Sequence, residues 1–160
     1  MKGSDALSAL LPPEAMGASS DADLVGARVG RPPAFVVKPA SAEEVSTVMT
    51  WANREGVGVL AMASGDRADP LRSDAPYVAV LTGRLTGVQQ YEPADLTITA
   101  GAGSVVGDID RELRAHGQWL PFDPAHMAER SLGGLAACGD SGPLWMGYGA
   151  LRNHVLGMTV

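Results

Sequence analysis

The chain has 160 residues and a formal net charge of −6; 46% of it is hydrophobic and 19% charged, a balance that suits one folded globular domain rather than a disordered tail. The acidic balance, with no long run of Lys or Arg, argues against nucleic acid as a partner, because phosphate neutralisation needs clustered cations. No apolar run approaches the roughly 20 residues of a membrane span. The start, Met1-Lys2-Gly3-Ser4-Asp5, lacks a signal-peptide pattern, and the single cysteine, Cys138, excludes an internal disulfide and fits a reducing cytoplasm.

In chain order, residues 4–11 predict a short helix with Ser4 as cap and Pro12 beyond its end. Residues 12–20 read as a linker and residues 21–31 are weakly patterned, with Arg31-Pro32-Pro33 forcing an extended approach. Phe35-Val36-Val37 is a short strand. Ser41-Ala42-Glu43-Glu44 is a capping box that starts a helix with Val45, Val48, Met49 and Ala52 on one face and Gly56 at its end. The apolar run 57–62 then suits a parallel strand covered on both faces. Strand, helix and strand with short connections make a crossover unit of the α/β (α+β) class.

Further on, residues 77–81 predict a strand that opens a second subdomain, and 85–91 with 96–100 a hairpin-like pair. Ser104 is placed to cap a helix carrying Val106, Ile109 and Leu113, closed by Gly117. Residues 155–160 begin another strand. Between them, residues 120–157 string glycines and small residues beside Leu132, Leu135 and Leu144. Side chains this small let a backbone approach a bulky, partly anionic ligand and offer it N–H groups. A glycine-rich packed turn without a ligand is the other reading of the same composition.

The spaced motifs Leu120-Pro121-Phe122-Asp123-Pro124, Ser131-Leu132-Gly133-Gly134 with Ala136, Ser141-Gly142-Pro143, Tyr148-Gly149 and Arg152 with Val155-Leu156-Gly157 resemble the FAD-binding PCMH-type domain of the vanillyl-alcohol oxidase family. Within that family they are similar to the FAD-binding subunits of bacterial glycolate oxidases. Residues 39–48, Gly83-Arg84-Leu85-Thr86-Gly87 and residues 91–101 fit the same pattern, so the resemblance runs from about Pro33 to the last residue. It implies an N-terminal helix and linker over 1–32, a small βαβ first subdomain over 33–75, and the beginning of a second, mixed-sheet subdomain over 76–160. Members of the family continue further, so the resemblance also implies that the chain is truncated at its C-terminal side.

The resemblance implies FAD, held non-covalently, with its pyrophosphate against Ser64 and Gly65 and against Ser131, Gly133 and Gly134. Further flavin contacts fall on Pro124, Ala137, Gly139, Ser141 and Gly142, with Tyr148 and Val155 lining the wall. Family members carry consecutive glycines where this chain has Ala63-Ser64-Gly65-Asp66-Arg67; Asp66 sets a negative charge beside the diphosphate position, offset only by Arg67. A complete relative moves a hydride from the α-carbon of a 2-hydroxy acid to the flavin, which supplies the redox chemistry. Partner subunits of the glycolate-oxidase type, an iron–sulfur subunit among them, are implied as well. The alternative is a flavin-free remnant or interaction module of the same fold.

No residue of this chain is nominated as catalytic base. Cys138 reads as a small buried apolar residue rather than a flavin attachment point. His116, His126 and His154 lack metal-ligand spacing and read as surface or helix-end residues. Asp123 suits hydrogen bonds to backbone N–H groups of its own turn. Asp108 and Asp110, two apart, face different sides of a helix and are no acid–base pair.

Overall fold

A computed structural model describes residues 3–63 and 70–159, in a chain that divides into two units, Met1–Arg84 and Leu85–Val160. In the first unit, helix α1 (Gly3–Ser8) is followed by a 3-10 turn (Pro13–Ala15) and helix α2 (Ser19–Val29). Then come strand β1 (Phe35–Val37), helix α3 (Ala42–Glu55), strand β2 (Gly58–Met62) and strand β3 (Tyr77–Leu81).

The start of α3 forms as its sequence dictates. The Ser41 hydroxyl accepts the Glu44 N–H at 3.2 Å, and the Glu44 carboxylate reaches back to the Ala40 N–H at 2.8 Å, one residue before the expected one. Gly56 ends the helix in the left-handed region. Val48, Trp51 and Ala52 are buried, whereas Met49, expected on the inner face, is 48% exposed. Trp51 takes its place and meets the Phe35 ring edge-on at 5.9 Å.

All three strands run parallel in the order β1-β3-β2. Tyr77 to Val80 are buried in the middle of this sheet, so β3 completes the first unit rather than opening the second. The same topology leaves β2 at an edge, with Gly58, Val59 and Ala61 exposed instead of covered on both faces. Each large apolar side chain of β3 contributes about 1.5–3 kcal/mol by leaving water.

Two stretches differ from expectation because their partners are remote in sequence. Residues 12–20 are packed rather than a linker: Ala15 is fully buried, Gly17 N–H donates to Val36 O at 2.8 Å, and Lys38 N–H donates to Ala15 O at 2.7 Å. Helix α2 arises from a spare apolar pattern, with Val25 and Val29 buried one turn apart against Val36 and Ala79. Its first turn is held by Asp21, whose carboxylate accepts from Ala18 N–H at 2.8 Å and pairs with Lys38 at 2.9 Å. Helix α1 is described from Gly3 onward, so Ser4 falls within its described range. Arg31 stacks on the Tyr77 ring at 4.9 Å and donates to the Asp74 and Ala75 carbonyls, while the Tyr77 hydroxyl donates to Arg31 O at 2.7 Å.

The second unit holds the antiparallel pair β4 (Val88–Glu92) and β5 (Thr97–Ala100), with an irregularity between Val88 and Gln90. Helix α4 (Val106–Ala115) follows, then a 3-10 turn (Met127–Glu129), α5 (Leu132–Cys138), α6 (Trp145–Tyr148) and a last 3-10 turn (Leu151–His154). Val106, Phe122, Leu135 and Leu151 form its buried core, flanked by Leu120, Met127, Leu132, Ala136 and Val155. Ser104 is not the cap of α4. It is buried, and its hydroxyl accepts the Gly87 N–H at 2.9 Å, which ties the helix start to the approach of β4. Residues 155–159 are irregular rather than a strand: among the described residues no strand lies beside them to take their N–H and C=O groups.

Candidate functional site

The expected site residues of the second unit gather around α5. Segment 130–132 runs antiparallel to segment 104–106, through a Val105–Ser131 bridge and a Val106 N–H bond to Arg130 O at 2.9 Å. Ser131 then caps α5, its hydroxyl accepting the Gly134 N–H at 3.1 Å. Leu132 N–H donates to Ser104 O at 2.9 Å, Gly133 N–H to Ala102 O at 2.7 Å, and Leu135 N–H to Ser131 O at 3.0 Å. The N–H groups at the start of this short helix are therefore engaged inside the chain. Gly133 lacks a side chain because a Cβ there would lie 2.8 Å from Ala102 Cβ and 2.9 Å from its carbonyl oxygen. Gly133 serves a close approach of backbone to backbone.

The open donors lie beyond the other end of the helix. Gly139 closes α5 in the left-handed region, with nothing near where a Cβ would stand. The N–H groups of Ser141 and Gly142 make no hydrogen bond among the described residues, and Ser141 is exposed. Two features hold this turn. The Asp123 carboxylate accepts the Leu144 N–H at 2.9 Å, across 21 residues rather than within its own turn. Gly142 lies flat against Asp123, so closely that a Cβ would overlap the Asp123 carbonyl. Pro124, next to it, is buried.

An ion pair brackets α5. Arg130, with its side chain 9% exposed, donates to the Asp140 carboxylate at 2.6 Å. This pair was not anticipated; the signal was an Arg just before a cap serine and an Asp just after a cap glycine. Its geometry fixes both ends of the helix and neutralises the Arg130 charge. Arg152, in contrast, is exposed and lines a cleft of about 340 Å³ with Ala136, Leu151, Val155 and Leu156. Val155 is thus brought to the same cleft as the outer face of α5.

Other expected residues are spread more widely. Tyr148 is 51% exposed and meets the Trp119 ring edge-on at 5.3 Å. Trp145 and Met146 are 52% and 83% exposed. Ala137 is exposed, and so is Cys138, which corrects the expectation of a buried thiol: it ends α5 beside the outward turn at Gly139. Ser64 and Gly65, with Asp66 and Arg67, lie outside the described residues. His126 has φ 56 at the start of a 3-10 turn, His154 Nε2 lies 3.0 Å from Tyr148 O, and His116 ends α4 edge-on to Tyr91 at 5.1 Å. Among the described residues no group of three or more His, Cys, Asp or Glu could hold a metal ion. Asp108 and Asp110 pair separately, with Arg111 at 2.9 Å and Arg114 at 2.6 Å.

For FAD, the fit rests on donor chemistry. A diphosphate accepts hydrogen bonds, and the Ser141 and Gly142 N–H groups, free among the described residues, together with exposed Arg152 supply donors. Val155, Ala136 and exposed Tyr148 supply apolar surface of the kind a flavin or adenine ring covers. Among the described residues no helix is long and apolar enough to cross a membrane.

Comparison with known proteins agrees with this chemistry. The family described as "FAD binding domain" matches residues 33–160. Glycolate oxidase subunit GlcE of Escherichia coli strain K12 is 39% identical over 75 residues, 46% of this chain and 21% of that protein. A probable mitochondrial D-lactate dehydrogenase of Danio rerio is 29% identical over 131 residues, 81% of this chain and 26% of that protein. The chain thus spans about a fifth to a quarter of the length of these two relatives. Among solved structures, an alkyldihydroxyacetonephosphate synthase superposes with a TM-score of 0.80 at 22% identity, covering 95% of this chain and 32% of that one. Wild-type Phl p 4.0202, a glucose dehydrogenase, gives 0.76 at 18% identity over 98% of this chain and 35% of that one. At such identities the two structures share the fold alone.

Proposed function

The chain belongs to the family of FAD binding domains, with FAD as its cofactor, and on that premise we propose that it is the flavin-binding part of an oxidoreductase acting on 2-hydroxy acids. The observation that carries the proposal is the turn after α5, where Ser141 and Gly142 present two N–H donors that make no hydrogen bond among the described residues, within a frame fixed by Asp123 and by the Arg130–Asp140 pair. The glycolate and D-lactate enzymes among the relatives support the substrate class. Bound FAD supplies the acceptor for a hydride from the substrate.

The chain's own residues bind and orient. The N–H groups of Ser141 and Gly142 take oxygens of the cofactor's diphosphate, and Arg152 adds charge nearby. Val155 and Tyr148 form an apolar wall, and Gly139, Ala137 and Pro124 shape the turn. Ser131, Gly133 and Gly134 act one step back, by anchoring α5 to the 102–104 segment. The cofactor is held without a covalent bond. The whole enzyme is completed by other segments or by subunits of the glycolate-oxidase type, including an iron–sulfur subunit, in the cytoplasm.

The test is Ser141→Asp against Ser141→Ala. The aspartate sets a negative charge beside the diphosphate, whereas the alanine keeps the backbone donor. FAD affinity lost in the first and kept in the second, with unchanged circular dichroism, supports the placement; equal affinities overturn it. For the substrate class, glycolate and D-lactate, but not ethanol, bleach the flavin absorbance of the completed enzyme under anaerobic conditions. Bleaching by ethanol alone overturns that part.

A further inference from the structure

Two carboxylates flank the turn at Ser141 and Gly142. Asp140 directly precedes Ser141, so covalent geometry alone keeps its carboxylate within roughly 6 Å of the Ser141 N–H. Asp123 lies against Gly142, so closely that a Cβ there would overlap its carboxylate oxygen as well as its carbonyl. The Asp123 carboxylate is met by the Leu144 N–H at 2.9 Å. At such distances a carboxylate repels a diphosphate by plain Coulomb interaction. Arg130 is the cation in this frame. Its side chain is 9% exposed and donates to the Asp140 carboxylate at 2.6 Å, while the Asp140 side chain is 26% exposed. A charge sheltered in this way is screened by salt less than an exposed one such as Arg152. It acts through space, without touching a ligand.

We propose that Arg130 sets the charge of the diphosphate seat: it cancels the Asp140 carboxylate from inside the fold, so that the turn at Ser141 and Gly142 accepts a dianion. This role rests on the reading of that turn as the seat of the FAD diphosphate. It adds a residue that governs the cofactor's affinity without contacting it. A purely mechanical pair would behave differently. If Arg130 and Asp140 only braced the two ends of α5, any substitution in the pair would weaken binding. If they set the charge, loss of the negative member strengthens FAD binding and loss of the positive member weakens it. Asp140→Asn separates the two cases, because an amide oxygen still accepts from Arg130. The brace stays and the charge goes.

The test is the FAD affinity, read from flavin fluorescence at neutral pH, of the full chain, of Asp140→Asn, of Arg130→Met and of the double variant with Arg130→Met and Asp140→Leu. Circular dichroism checks each fold, and each titration is run in about 20 mM and about 500 mM NaCl. At low salt Asp140→Asn is expected to bind FAD at least about threefold tighter than wild type, and Arg130→Met at least about fivefold weaker. The double variant, with both charges gone, returns close to wild type. Salt shrinks both differences, which it would not do to a mechanical effect. If Arg130→Met does not fold, Asp140→Asn decides alone. Binding by Asp140→Asn that is no tighter than wild type, or a gain that salt leaves unchanged, overturns the charge role and leaves the flavin reading standing. A folded wild-type chain that does not bind FAD overturns the flavin reading and the charge role with it.

Discussion

Gly133→Ala tests the reasoning about α5 most sharply, because the structure gives the distance of each contact involved. The new methyl would stand 2.8 Å from Ala102 Cβ and 2.9 Å from Ala102 O, and backbone rather than a flexible side chain must yield. Overpacking of this kind costs about 1–3 kcal/mol. Moving Ala102 away also breaks the 2.7 Å bond from Gly133 N–H, whose loss costs about 1 kcal/mol. Alanine in a helix returns about 1 kcal/mol relative to glycine. The net is a loss of about 1–3 kcal/mol, a fall in melting temperature of roughly 2–12 °C.

Gly134→Ala is the control within the same pair. Its methyl meets only the Ser131 hydroxyl, at 2.7 Å, which can rotate aside. The lost cap bond, about 1 kcal/mol, is offset by the gain in helix propensity, so the change is near zero. Thermal unfolding and urea titration followed by circular dichroism measure both variants. A Gly133→Ala chain as stable as wild type, or less damaged than Gly134→Ala, would refute the claim that Gly133 serves contact with Ala102.

Two further outcomes follow from charged groups. Arg130→Met removes the buried cation of the Arg130–Asp140 pair and is expected to cost about 3 kcal/mol in urea unfolding, whereas the double variant with Asp140→Leu recovers part of the loss; no coupling between the two substitutions would show the pair to be idle. The hydrogen bond from Lys38, with that from Ala18 N–H, holds the Asp21 carboxyl below its usual value. A folded-state value below the unfolded one means that this contribution is fully present above the unfolded value and is lost as pH falls through the folded one. Asp21→Asn should therefore lower stability at neutral pH and flatten its decline on acidification, and an unchanged acid limb would contradict the assignment.

Local chemistry was legible in the sequence. The Ser41–Glu44 box, Gly56 and the turn between β4 and β5 each depend on neighbours within a few residues. What escaped depends on remote partners. β3 sits between β1 and β2 through pairing to residues 43 and 19 positions earlier, at Phe35↔Val78 and Gly58↔Tyr77, and this decided both its unit and the exposure of β2. Ser104 has the composition of a cap but is claimed by Gly87.

At the candidate site the same division holds. Ser131 and Gly139 have the residue types that cap and close α5, although no helix was expected there; that small residues permit a close backbone approach was legible. The identity of the approaching group was not: at Gly133 it is Ala102, and at Gly142 it is Asp123. Cys138 is apolar in type but stands on the outward end of α5, and side-chain type alone could not orient it. The run 155–159 has strand composition without a neighbouring strand among the described residues.

The central claim is that this chain binds FAD, and titration of FAD into the purified chain, followed by flavin fluorescence together with thermal shift, tests it most directly. Binding to the native state alone raises the melting temperature with free ligand concentration. The account predicts saturable quenching accompanied by that rise, with both lost in Ser141→Asp. A chain that is folded by circular dichroism yet shows neither quenching nor a thermal shift would contradict it and favour a flavin-free member of the fold.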